Sequence, residues 1–447
     1  MEAAILRASK LPSDQDGFEQ TSSSMRTFLI IWLGQFASSL GSEMTNFAIT
    51  IWAWEVTGQA TPLSLILAVT QIPRLLVSPF AGIWVDRGDR KSLMMLGDAV
   101  AGLSTLALLG LLLTGHLQIW QLYVSGAVNG LFGYIQGLAH SASISLLIPP
   151  KHYARASAFE SLQMSGSYII APAIAGALYA IAGLSGILAI DLATFGVAIA
   201  TLSGLKIPPP MPPVSATPEP VWQQLTFGVH YLWNRPSLRL FLGFLIVSSF
   251  IGSASFAILP AMVLARSGNN AAIWGLLLAF FGTGGLLGGV TLGLWGGPQR
   301  RIHGVLIASA VWQAGLVGLA LAQQLPFKIG TALVSGFCSP FPGSCSQAIW
   351  RTQVEPAVQG RVFAARFLLT QLATPLGAAI AGPLADQVFE PAMQPGTDWA
   401  ERLGGLFGSG PGAGMALQMT LFAGCGMLVT LGGYGVRQLR RVEFSEG

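Results

Sequence analysis

Apolar residues in this chain come in long unbroken runs, separated by short breaks of charged residues, glycine and proline, from one end to the other. A bilayer core about 30 Å thick is crossed by a helix of about 20 apolar residues, and each run supplies that length. Outer-membrane strands would instead show segments of about ten residues alternating apolar and polar. The pattern therefore predicts an all-α membrane protein with twelve transmembrane helices, near residues 28–54, 62–84, 93–114, 119–147, 157–182, 184–205, 239–265, 272–296, 303–324, 328–350, 362–388 and 414–436. They are called helices one to twelve below.

Polar positions inside the runs are also patterned. Gln35, Ser39, Ser42, Glu43 and Asn46 recur at three- and four-residue spacing on helix one, and Asn129, Gly133, Gln136, His140 and Ser143 do so on helix four. Such stripes do not face lipid; they are expected to line a water-accessible cavity, with Gln35, Ser39, Asn46, Asn129, Gln136 and His140 on its wall. His140 fits either a proton relay or a hydrogen-bonded structural imidazole. Three ionisable residues lie deep in the runs: Glu43, Arg74 and Asp191. A charge near the bilayer centre costs at least about 2.5–3.5 kcal/mol on insertion scales, so Glu43 and Asp191 are the expected partners of Arg74. Either carboxylate could serve proton coupling or a permanent structural ion pair. Asp98 and Glu160 lie near helix ends, where a structural role is expected.

Composition agrees with the membrane reading: 52% of residues are hydrophobic, 9% are charged, and the mean hydropathy is +0.61. Soluble domains carry about 25% charged residues. The distribution of charge then sets orientation. Of 23 Lys and Arg, all but Arg74, Arg266, Lys328 and Arg402 fall in the tails or on the even-numbered loops. The positive-inside rule places those loops and both termini in the cytoplasm, and an even number of helices meets that requirement. Without an apolar core beside a basic start, residues 1–26 read as a cytoplasmic tail, not a signal peptide.

The middle of the chain divides it. Seven of the thirteen residues from Pro208 to Pro220 are proline, which makes an extended linker. After it Trp222, Leu225, Val229 and Leu232 recur at helical spacing, as an amphipathic helix on the membrane surface requires. The expected organisation is a tail (1–26), a six-helix half (27–205), a linker with its interfacial helix (206–238), a second six-helix half (239–436) and a tail (437–447). The halves echo one another: Gly82-Ile-Trp84 with Arg90 eight residues on matches Gly293-Leu-Trp295 with Arg301 eight on. Arg155 stands 21 residues before Gly176, and Arg361 stands 21 before Gly382. Pseudo-symmetric halves of this kind are a transporter architecture.

The strongest local motif is Gly82-Ile-Trp-Val-Asp86-Arg87-Gly88-Asp89-Arg90-Lys91, a charged turn between helices two and three. It resembles the loop 2–3 motif of the major facilitator superfamily, G-x-x-x-D-[RK]-x-G-[RK]-[RK], with Asp89 in the second glycine position. In physical terms Gly82 would permit close helix approach, while Asp86 would sit at a neighbouring helix N-terminus and pair with Arg90 as a cytoplasmic gate. Helix five resembles the exporters' G-x(8)-G-x(3)-G-P-x-x-G-G at Ala158, Ser167, Ala171-Pro172 and Ala175-Gly176, where small residues preserve close packing around a proline-bent hinge formed by Ala171, Pro172 and Gly176. Further stretches, Trp32-Leu-Gly34-Gln35, Gly360-Arg361-Val362 and Phe407 to Gly414, resemble the branch containing the enterobactin exporter and the macrolide efflux proteins. That resemblance implies the major facilitator fold and proton-driven export of a siderophore, macrolide or similar amphipathic small molecule by alternating access.

Other classes fit less well. Gly285-x-x-x-Gly289-x-x-x-Gly293 lies inside helix eight and reads as a packing face, and no lysine follows a glycine, which excludes a phosphate loop for ATP. Cys338, Cys345 and Cys425 form neither a disulfide framework nor a zinc pattern, and five scattered histidines do not build a membrane enzyme's site. No metal, cofactor or nucleic acid is expected. The expected partners are the lipid bilayer, protons and a small-molecule substrate, for a monomer in the bacterial inner (plasma) membrane. Uptake of a small solute, or flipping of a lysophospholipid, by the same fold is the alternative within transport.

Overall fold

The computed structural model describes residues 14–149, 152–204 and 221–444. The tail through residue 13, Lys151, Lys206 and the proline-rich 208–220 lie outside the described residues. Among the described residues there is no strand. Helices one to four are Asp14–Thr57, Ala60–Arg87, Arg90–Leu113 and Ile119–Leu147. Helices five and six form one helical run, Tyr153–Ser203, broken only at Gly183 with φ 60° and ψ −168°. This positive φ is open to glycine at little cost, so the polypeptide passes from one crossing to the next without a loop. Helix seven is Pro236–Ala257 continued by Leu259–Arg266, eight is Ala271–Trp295 and nine is Arg301–Leu321. Helix ten is Leu325–Cys338 plus Pro340–Gln353, eleven is Gln359–Leu384 with a π-helical segment Ala385–Phe389, and twelve is Ala413–Gly433.

Helix one has 44 residues. At 1.5 Å per residue this is about 66 Å, twice the hydrocarbon thickness, so its first turns project beyond the membrane where a tail was expected. Eight stretches among the described residues are long and apolar enough to cross a membrane. One of them, Arg155–Ser203, holds two crossings. Helices one, four and ten complete the twelve: one and four carry the polar stripes, and ten is interrupted at Ser339 before Pro340.

The twelve helices make two six-helix halves, and buried apolar residues show how these sit. One core cluster is shared, running from Met44, Phe47 and Ile51 of helix one to Met262, Trp274 and Leu417 of the second half. Two further clusters are separate. Phe28, Ile31, Val77 and Met94 belong to the first half alone, and Phe241, Ile302, Ile349 and Trp350 to the second. The separate cores lie toward the face bearing the loop 87–91, here called the basic face; the shared core lies toward the opposite, distal face. The halves thus meet distally and part toward the basic face.

Two seams join them, helix five against eight and helix two against eleven. Glycine makes the first seam possible: Gly275 lies against the Pro172 carbonyl, and a Cβ at Gly176 would stand 2.9 Å from the Ala271 carbonyl. Within the second half, Gly284 and Gly288 take the backbone of Leu333 and Phe337 on helix ten. The expected packing face, Gly285–Gly289–Gly293, is therefore displaced by one residue. Gly289 and Gly293 have nothing near a Cβ, because the ridge that enters helix ten is the neighbouring one.

The helix Val221–Trp233 follows the linker and packs on the start of helix eleven, with Gly228 against the Arg361 carbonyl and the Arg361 guanidinium 5.2 Å from the Phe227 ring centre. Its apolar stripe divides. Leu232 is buried in the second half's own core, while Trp222 and Val229 stay exposed.

Candidate functional site

Between the halves lies a cavity of about 830 Å³, within the range that holds a drug-sized ligand. Helices of the first half supply nearly all of its polar wall. Gln35, Ser39, Asn46, Asn129, Gln136 and His140 all face it, as do Glu43, Arg74 and Asp191. The second half contributes Phe256, Ala257, Pro260, Trp274 and Leu278, a wholly apolar face.

The charges in this wall are not paired as the sequence suggested. Arg74 makes no ion pair with Glu43 or Asp191; its guanidinium stands 5.3 Å from the Tyr134 ring centre. Helix two packs along helix four, which brings the Arg74 side chain to an aromatic face that attracts a cation. Asp191 is held by neutral donors instead. Its carboxylate, 1% exposed, accepts from Thr45 Oγ1 at 2.8 Å and Thr105 Oγ1 at 3.1 Å, joining helices one, three and six. Glu43 lines the same cavity one turn before Asn46, with Tyr168 also in the wall. Among the described residues the single ion pair is Arg235–Glu355 at 3.3 Å, outside the cavity.

Asp98 gathers the densest polar network. It is fully buried and accepts from Gln136 Nε2 at 2.6 Å, Gln35 Nε2 at 2.8 Å and Ser38 Oγ at 3.4 Å. Gln136 also donates to Gln35 Oε1 at 3.1 Å. Helices one, three and four are thereby tied at one point. Buried polar groups demand such partners, since each one left unmade costs about 1–3 kcal/mol. The sequence held a signal: Asp98 and Thr105 stand two turns apart on one face of helix three, opposite the two stripes.

At the basic face the loop between helices two and three is organised by the residue that departs from the motif. Asp89 is the N-cap of helix three, accepting from Ser92 N at 3.1 Å and Ser92 Oγ at 2.5 Å. The Ser92 hydroxyl bond holds its carboxyl below the usual carboxylate range. Asp86 is exposed at the C-terminal end of helix two and does not pair with Arg90. With Asp89 already in the cap, Arg90 instead donates to the Ala142 carbonyl of helix four at 2.5 Å, and Lys91 to the Ser203 carbonyl ending helix six at 3.1 Å. Arg87 falls in the last turn of helix two. A Cβ on Gly82 would meet nothing within 4 Å, so no close helix approach occurs there. On helix five, Ala171 is buried and Pro172 stays inside the helical run; with Gly176 they form the seam against helix eight.

The profile of the Major Facilitator Superfamily matches residues 31–378. The chain is 26% identical to macrolide efflux protein A of Streptococcus pyogenes over 367 residues, 81% of this chain and 90% of the relative. It is 24% identical to the multidrug efflux pump Tap of Mycolicibacterium fortuitum over 368 residues, 80% and 89% of the two chains. Among solved structures, a bacterial homologue of the human lysosomal transporter Spinster, inward-facing and unoccupied, aligns with a TM-score of 0.66 at 15% identity, covering 95% of this chain and 99% of that one. A bacterial homologue of the iron transporter ferroportin, also inward-facing, aligns with a TM-score of 0.65 at 15% identity, covering 91% and 98%.

Proposed function

Because the chain belongs to the major facilitator superfamily, we propose that it is a proton-coupled exporter that carries macrolides or similar amphipathic small molecules out of a bacterial cell by alternating access. The observation that carries this reading is the cavity between the halves, in which polar side chains of the first half are interspersed with apolar ones and face an apolar wall from the second, at a size that admits a drug-like ligand. An amphipathic molecule lies between such walls with each face matched, and the similarity to macrolide and multidrug efflux proteins spans about four fifths of the chain.

In this reading the basic face is cytoplasmic, with both termini on that side of the plasma membrane, and the conformation described above is open inward. The monomer is the working unit. Glu43 carries the exchangeable proton, because it lines the cavity and among the described residues no cation forms an ion pair with it. Arg74 and Asp191 shape the field around it. The residues Gly82, Asp86, Arg87, Arg90 and Lys91 form the cytoplasmic gate segment, in which Arg90 and Lys91 fasten the loop to helices four and six.

The test is accumulation of erythromycin by inverted membrane vesicles that contain the protein, with and without an imposed proton gradient. Gradient-dependent accumulation above empty vesicles is the expected result. Equal accumulation in the presence of an uncoupler removes the proton, and no accumulation of erythromycin or of a panel of amphipathic compounds removes the export reading. A cysteine at position 398 labelled by an impermeant reagent in intact cells is expected; labelling only after permeabilisation would invert the topology.

A further inference from the structure

Helix two begins at the distal face without a cap of its own. Gln59 precedes it in extended conformation, and its side chain makes no capping bond. The first backbone N–H groups of any helix lack partners within it. Here those of Ala60 and Thr61 both donate to the carboxylate of Asp386 at 2.8 Å, and Thr61 Oγ1 donates to the same group at 2.5 Å. Asp386 belongs to the other half of the molecule. It sits in the π-helical segment that follows helix eleven, a geometry that recurs at functional positions. One turn before it, Gly382 lies against Thr61 and Ser64, where a Cβ would collide with backbone. The carboxylate is thus pressed onto the positive end of a helix dipole across the interface between the halves.

Four residues further on, Glu390 performs the same chemistry within its own half. Its carboxylate accepts from Met415 N at 2.8 Å and Gly412 N at 3.3 Å, at the start of helix twelve. One short segment therefore carries two capping carboxylates, one tied inside a half and one tied across. When two rigid halves rock, the bonds of Glu390 survive and those of Asp386 must break. Among the described residues the hydrogen bonds between the halves are those of Asp386 and the single bond from Trp54 Nε1 to Asn269 Oδ1 at 2.8 Å, all at the distal end.

We propose that Asp386 is the latch of the distal gate, a positioning residue that caps helix two across the halves while the distal mouth is closed and releases it when that mouth opens. This rests on the alternating-access reading above, but it concerns the gate and not the cargo. Asp386 touches no substrate in this scheme. It sets the balance between the inward-open and outward-open states.

The test reads conformation directly. In the full chain, with Cys338, Cys345 and Cys425 replaced by serine, spin labels are placed at the exposed positions Gln59→Cys and Gln394→Cys and their distances measured in liposomes by electron–electron double resonance. Asp386→Ala is expected to raise the ratio of long-distance to short-distance population by about tenfold. Thr61→Val, which removes one of the three donors, is expected to shift the same ratio by a smaller factor. Glu390→Gln is expected to leave the distances unchanged while lowering the melting temperature. Distributions for Asp386→Ala and Thr61→Val that superimpose on the parent overturn the proposal, and so does an equal shift in Glu390→Gln, since any lost cap would then suffice. If Asp386→Ala does not insert, Thr61→Val decides: a shift supports the latch, and none overturns it. A clear shift in a protein that moves no erythromycin leaves the latch standing and the cargo reading fallen.

Discussion

The two halves share a fold and a boundary at the cavity, yet the charged groups packed among their helices are held differently at Asp98 and Asp191 than at Arg366. In the first half, Asp98 and Asp191 are buried, and each accepts from side chains of two other helices, amides and a hydroxyl at Asp98 and hydroxyls at Asp191. In the second half, the half-buried Arg366 lies 5.3 Å from the ring centres of both Trp350 and Phe363 and donates to Gln347 Oε1 at 2.7 Å. These two anions of the first half are held by neutral donors, whereas this cation of the second half rests on aromatic faces. A carboxylate has no dispersive surface and needs several directed bonds, whereas a guanidinium can rest on rings. The cavity wall shows a related difference, since its polar side chains come from the first half and the face supplied by the second is apolar.

The sharpest way to break this comparison is to remove the carboxylate that faces the cavity. Glu43→Gln is expected to reduce gradient-driven accumulation in vesicles by about tenfold or more, equivalent to about 1.4 kcal/mol in the coupled equilibrium, while leaving substrate binding and thermal stability close to the parent. A stable Glu43→Gln protein that accumulates fully would move the coupling role to Asp191. A Glu43→Gln protein that melts early would make Glu43 structural.

Next in size is the network itself. Asp98→Ala leaves the Gln35 and Gln136 amides and the Ser38 hydroxyl short of an acceptor in a buried site, at a cost of about 2–4 kcal/mol. Arg366→Met keeps the apolar contacts and loses one directed bond, at about 1 kcal/mol. Thermal unfolding of the two purified variants in one detergent should rank them in that order. The reverse order would mean that the half-buried Arg366 matters more to stability than the fully buried Asp98.

The smallest effect concerns the basic loop. Arg90→Ala removes a bond to helix four and is expected to slow transport, whereas Asp86→Asn, changing an exposed side chain outside any ion pair, is expected to change the rate by less than about twofold. Rates measured at equal expression decide between them. Equal impairment by both would restore the paired gate that the motif suggested.

The basic loop also shows how motif and geometry part company. The spacing of charged residues was legible, because a turn between two crossings must be short and polar. Which aspartate would cap helix three was not, since Asp86 and Asp89 differ only in where the last turn of helix two ends. Arg74 posed the same difficulty. Its depth could be counted in residues, but its neighbour depended on the rotation of helix two, which brings it to Tyr134.

Hydropathy along the chain determined that this is a helical membrane protein with twelve crossings, because the bilayer demands a fixed apolar length and internal hydrogen bonding from every segment. Spacing within the runs was enough to mark the polar stripes of helices one and four, because the helical period maps three- and four-residue steps onto one face. The tertiary structure alone decided which polar groups meet. Asp98 lies 63 residues from Gln35 and 38 from Gln136 along the chain, and Asp386 lies 325 from Thr61. No local pattern encodes those meetings; they follow from the rotation and close approach of whole helices, set by where small residues let backbones touch.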